Sequence, residues 1–190
     1  MAMREATREG TREATVNADD LDGRIGEGWG GISPNGCHVN VVLARRGTAT
    51  AAALLTTFTS PTPGHTPILV VVGEDQQHYE PVWPPTIMIN KATATEPTHE
   101  TMTWGAGQLG IAQGVLDAVA AKLLESSDAV LVFVAAWIDA AAGDETAVRI
   151  ASREATFKGI LVAVRGRDPE AARALVERRD HLRSPFYGGQ

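Results

Sequence analysis

The chain has 190 residues, with 17 Lys and Arg against 23 Asp and Glu, a net charge of −6 and a pI of about 5.3. This length suits one domain with a real core and is short for two. The acidic balance and scattered basic residues give no electrostatic ground for a nucleic-acid partner. The longest apolar run, from Ala129 to Ile138, is far below the roughly twenty residues of a membrane span. A single cysteine, Cys37, forms no internal disulfide, and no apolar signal segment opens the chain, so a soluble cytoplasmic protein is expected.

Residues 1–24 are polar and charged, with the near-repeat Arg4-Glu5-Ala6-Thr7-Arg8-Glu9, and are expected to form a flexible N-terminal arm before a domain over 25–190. Gly26 to Gly36 reads as an irregular strand or hairpin, and Cys37 to Ala44 alternates as a strand does. Thr48 to Phe58 predicts a short helix closed by Ser60-Pro61-Thr62-Pro63-Gly64. Ile68 to Val72 then predicts a buried strand, Glu74 to Pro85 a loop, and Thr86 to Thr95 a strand. Trp104 to Leu124 carries the apolar stripe of a long helix. Asp128 to Trp137 is so continuously apolar that a central strand covered on both faces is expected, followed by an amphipathic helix over Asp144 to Val164. Asp168-Pro169-Glu170 starts a charged final helix that ends before Ser184-Pro185. This order predicts an α+β fold, a mixed sheet with helices packed on one side.

Three polar patches interrupt the apolar pattern: Cys37-His38-Val39-Asn40, Asn90-Lys91-Ala92-Thr93 and Gly105-Ala106-Gly107-Gln108. Period-two geometry puts His38 and Asn40 on one strand face, and Lys91 and Thr93 on another. A histidine on a strand is more often structural than catalytic, yet imidazole can deliver a proton near neutral pH. A lysine on an inward face either snorkels to solvent or meets a polar ligand. Cys37 lies on the face opposite His38, a poor arrangement for a thiolate–imidazole dyad. Gly105 to Gly110 satisfies the dinucleotide fingerprint G-x-G-x-x-G, but polar, proline-containing residues precede it where that motif needs a strand. His65, His78, His99 and His181 lack the spacing that holds zinc, so no metal is predicted. Trp29, Trp83, Trp104 and Trp137 either cap the core or bury against another subunit.

Gly26-Glu27, His38-Val39-Asn40, Arg46-Gly47, Asn90-Lys91-Ala92-Thr93 and Gly105-Ala106-Gly107-Gln108, in this order, resemble the formaldehyde-activating enzyme family; the likeness returns at Glu154-Ala155-Thr156 and near Ser184-Pro185-Phe186. The resemblance implies a fold similar to the second domain of ribosomal protein S5, assembled as a homo-oligomer, a pentamer with sites between subunits. It implies a lyase that condenses formaldehyde with a reduced pterin, tetrahydromethanopterin-like, as co-substrate and loses water, using no metal. His38 falls on the catalytic histidine, and Leu69, Lys91, Thr93 and Gln108 fall on pterin-binding positions. Asn40 departs from the pattern: the family carries an aspartate there, against the pterin. An amide brings no charge to favour imidazolium, so either the ligand differs or His38 is tuned otherwise. A pterin-like binding protein without catalysis, and a dinucleotide-dependent enzyme resting on Gly105 to Gly110, are the alternatives.

Overall fold

The first strand, β1 (Ile25–Gly30), alternates glycine with exposed residues, and that alternation sets how the two layers meet. A Cβ on Gly26, Gly28 or Gly30 would fall inside the carbonyl oxygens of Gly159, Ala155 and Ala151. Those residues, with Ala163, recur every four positions along α4 (Glu145–Arg165) and so share one face of it. Strand backbone therefore rests almost directly on helix backbone, which only glycine opposite glycine or alanine permits. The segment over Gly26 to Gly36, expected as an irregular strand or a hairpin, is a regular strand and a turn leading into the antiparallel strand Cys37–Arg45, and so forms a hairpin.

A computed structural model describes residues 18–184. The order of its main sheet is β1–β2–β7–β6–β3, where β2 is Cys37–Arg45, β3 Ile68–Leu69, β6 Thr86–Asn90 and β7 Val130–Ile138. The β6–β7 pair is parallel and the other pairs are antiparallel, giving the mixed sheet of an α+β fold. Between them lie α1 (Ala49–Leu55), the small two-stranded sheet of β4 (Val71–Val72) and β5 (Glu80–Pro81), the short helix α2 (Pro97–Glu100), and α3 (Gln108–Ala120). The amphipathic α5 (Pro169–Glu177) closes the series. Asp144 and Asp168 cap α4 and α5 by accepting from the amides of Ala147 and Glu170.

Helices α3 and α4 cover one face of the sheet. Val39, Val41 and Leu43 of β2, Val132 and Val134 of β7, and Met88 of β6 are buried there with Ile111, Val115, Val148 and Ile160. Cys37 belongs to the same buried row, where loss of solvent pushes its thiol up to about 11. Neither α3 nor α4 covers the opposite face. Trp29, His38 and Trp137 stand side by side across it, as do Glu27, Asn40 and Ala135, then Ile25, Val42 and Phe133. In β7 burial alternates strictly, one face buried and the other half-exposed. The expectation that this strand is covered on both faces is corrected accordingly: its second apolar face is open in the single chain.

Other expectations shift for local reasons. Ile68 to Val72 is two short strands in different sheets rather than one buried strand, because Val70 turns into the core, donating to Thr86 and accepting from Val82. Leu69 is consequently 42% exposed on the open face. The loop over Glu74 to Pro85 contains β5. The strand expected to reach Thr95 stops at Asn90, whose side-chain amide donates to the carbonyls of Gly64 (2.5 Å) and Ala92 and bends the chain away. The helix expected over Trp104 to Leu124 begins with a π-helical stretch, Thr101–Gly107, and ends at Ala120. The arm expected over 1–24 lies mostly outside the described residues, as does Pro185-Phe186. Its last part is packed: Ala18–Leu21 forms a 3-10 turn with Leu21 in the core, and Asp22 accepts from the amide of Arg45 and the hydroxyl of Thr48. No described helix is long and apolar enough to cross a membrane.

The backbone contact between β1 and α4 is directly testable. Gly28→Ala should cost roughly 2 kcal/mol or more in denaturant unfolding, because neither backbone can move aside cheaply. Gly143→Ala, where an added Cβ meets nothing within 4 Å, should change stability by less than about 1 kcal/mol.

Candidate functional site

Strand β2 projects His38 and Asn40 onto the open face, and the end of β6 brings a cation to them. Lys91 continues the parallel pairing by one residue, its amide donating to the carbonyl of Ala136 at 2.6 Å. Its side chain then runs across β7 to β2. Nζ lies 2.6 Å from Nδ1 of His38 and 2.7 Å from Oδ1 of Asn40. An ammonium can only donate, so Nδ1 of His38 accepts and the ring proton of the neutral imidazole sits on Nε2. That nitrogen is 3.8 Å from Oε2 of Glu27, which stands directly across from Asn40 on β1.

The rings of Trp29 and Trp137 flank the histidine on its two neighbouring strands and stack on each other at 6.0 Å. Trp29 is tilted against the imidazole with centroids 6.3 Å apart. A cleft of about 740 Å³ opens here, lined by Glu27, Trp29, His38, Lys91, Trp137, Arg183 and Ser184. Such a volume, with aromatic walls and a few polar groups, suits a small heterocyclic ligand. Partial burial of His38, then the charge of Lys91, hold its pKa below the ordinary 6.5, while Glu27 pulls it upward. Desolvation likewise lowers the pKa of Lys91 from 10.5, opposed by Cys37 and Glu27.

Within one chain, the residues singled out from sequence fall into separate groups. His38, Asn40 and Lys91 meet. Thr93 does not share their face: past the end of β6 its hydroxyl lies 3.0 Å from Nε2 of His65, whose Nδ1 donates to the carbonyl of Asn90 at 2.9 Å. Because that carbonyl must accept, Nε2 of His65 takes the Thr93 proton. Gln108 starts α3 in the helical layer and donates to the carbonyl of Val71 at 2.9 Å. Leu69 lies on the open face but on the far edge strand, and in the row of Phe133 rather than of His38.

The fingerprint Gly105 to Gly110 lies entirely inside helical turns, with α2 and no strand before it. Its glycines serve packing: a Cβ on Gly107 would strike the Ile138 side chain and one on Gly110 the carbonyl of Arg149. The dinucleotide-dependent reading is therefore set aside, since its phosphate cradle needs a strand-to-helix turn. Among the described residues no group of three His, Cys, Asp or Glu is placed to hold a metal ion.

Glu27, quoted in the sequence only within the Gly26-Glu27 motif, has no site role assigned there. The signal was present: Ile25, Glu27 and Trp29 alternate with glycine at period two, and pairing that strand with β2 puts Glu27 opposite Asn40. His65, read from sequence only as a non-ligand, proves to anchor the turn that carries Lys91.

The fold and this cluster define an α+β protein with an imidazole, a lysine and an amide in contact on one sheet face. The chain belongs to the formaldehyde-activating enzyme family, whose profile matches residues 25–187. It is 31% identical over 168 residues to 5,6,7,8-tetrahydromethanopterin hydro-lyase of Methanosarcina barkeri, covering 87% of this chain and 91% of that protein. It is also 25% identical over 122 residues to the bifunctional enzyme Fae/Hps of Methanosphaera stadtmanae, covering 63% of this chain and 29% of that longer protein.

The charges around His38 fix the direction in which its titration moves. Glu27→Gln removes the attraction that favours imidazolium, so the midpoint should fall further. Lys91→Met removes a repelling cation, so it should rise above that of the wild type. NMR titration of the His38 ring resonance checks both signs.

Proposed function

We propose that this protein condenses formaldehyde with a reduced pterin of the tetrahydromethanopterin class, forming the methylene adduct and releasing water. The observation behind this reading is the contact of Lys91 with His38 and Asn40 at the mouth of the cleft, in a chain of this family. Addition of an amine to formaldehyde gives an N-hydroxymethyl group, and expulsion of its hydroxide is the slow part. Hydroxide leaves poorly and water leaves well, so His38 acts as the general acid that protonates the departing oxygen. Such acids contribute a factor of about 10²–10⁴.

Glu27 takes over the carboxylate role that Asn40 lacks. It faces Nε2, the nitrogen that must carry the donated proton, and steadies the imidazolium that forms. Asn40 keeps the geometric role, holding Lys91 by its amide oxygen.

Leu69, Thr93 and Gln108 are pterin contacts that reach the site from a neighbouring copy of the chain. The open face supports such an assembly: Ile25, Trp29, Leu69 and Trp83 leave apolar surface exposed, which a homo-oligomer, a pentamer by the family resemblance, would cover. Protein held in the cytoplasm is consistent with such a one-carbon enzyme. A protein that binds the pterin without turning it over is the second reading, and the neutral Asn40 is what favours it.

Mixing formaldehyde with tetrahydromethanopterin should show acceleration by wild-type protein, with His38→Ala slower by about 10²–10⁴. Saturable pterin binding without acceleration would favour the second reading. Light scattering at micromolar protein should give an oligomer, and a stable monomer would remove the shared site.

A further inference from the structure

We propose that Lys91 captures formaldehyde covalently, so that the one-carbon unit reaches the pterin as a lysine-bound iminium. This rests on the condensation reading above and deepens it. The chain has three lysines, Lys91, Lys122 and Lys158. Lys158 is held as an ammonium by the carboxylate of Glu154 at 2.7 Å. Lys91 has different company: its side-chain partners are an imidazole nitrogen at 2.6 Å and an amide oxygen at 2.7 Å, both neutral. The first of them is a base that can accept its proton. Its position on the cleft wall with Trp137 and His38 works in the same direction, since the desolvation it brings favours the uncharged amine.

One proton transfer then prepares both partners. Passing a proton from Nζ to Nδ1 leaves a neutral amine and an imidazolium. Rotation about Cε–Nζ turns the lone pair into the cleft while Asn40 retains one N–H. The amine attacks the carbon of formaldehyde, and its extra proton moves to the new alkoxide, giving the N-hydroxymethyl lysine. The C–O bond breaks as His38 gives its proton to the leaving oxygen, producing water and the Lys91 iminium. A pterin N–H nitrogen adds to the iminium carbon and loses its proton to His38. The C–N bond to lysine breaks as Nζ takes that proton back, and the second pterin nitrogen closes the ring and passes its own proton to Nζ, which restores the ammonium. Formaldehyde and two N–H groups become N–CH2–N and water, with no oxidant or reductant.

The test uses the full chain with dilute formaldehyde, sodium cyanoborohydride and no pterin at neutral pH, followed by peptide mass mapping. Hydride trapping of an iminium leaves methyl groups on the lysine that formed it. Methylation at Lys91 should outpace that at Lys122 and Lys158 by about tenfold or more, and His38→Ala should abolish the preference. Equal rates at the three lysines would overturn capture, and so would a Lys91→Arg variant with wild-type condensation kcat. If wild type accelerates pterin condensation while Lys91 escapes trapping, capture fails and the condensation reading stands. Preferential trapping without pterin turnover supports capture and overturns that reading.

Discussion

Two basic nitrogens 2.6 Å apart on an open sheet face cannot both hold their charge, and this constraint governs the site. If Lys91 is an ammonium, Nδ1 of His38 must be bare; if His38 is imidazolium, a neighbouring cation raises its energy. The pair therefore shares its protons in a narrow range of states. Glu27 on one side and the neutral Asn40 on the other decide which state is favoured. A carboxylate in place of Asn40 would pin the ammonium of Lys91. The amide accepts from the same ammonium without adding a charge of its own.

The fold supplies this geometry from one side only. Glycine on β1 lets the strand lie against α4, and α3 and α4 cover one face, which leaves the His38 face of β2 and β7 half-exposed. The parallel β6–β7 pair delivers Lys91 at the end of a strand, and the Asn90 side chain stops the pairing there. His65 then ties down the turn through Asn90 and Thr93. The cation is thus held at a strand end tied down on both sides rather than in a free loop.

Much of this was legible in the sequence because period two is a strong signal. It placed His38 and Asn40 together and Cys37 on the other face, where the structure buries it. Lys91 was legible as a strand residue, but the end of the strand was not, since the Asn90 side chain makes a tertiary contact with Gly64, 26 positions away. That is why Thr93 left the expected face. The apolar run of β7 was read as core on both sides because hydropathy does not distinguish a face covered by a helix from one the chain leaves open. Glu27 gains a site role only from the strand pairing that sets it across from Asn40, and a glycine-rich stretch does not announce that register unless the facing helix is known to be lined with glycine and alanine.

The tautomer of His38 tests the account most directly. Nitrogen-15 NMR of the imidazole at neutral pH should find Nδ1 unprotonated and Nε2 protonated, with Lys91→Met loosening that preference. A wild-type ring protonated at Nδ1, or a tautomer indifferent to the loss of Lys91, would contradict the pairing on which the proposed chemistry rests.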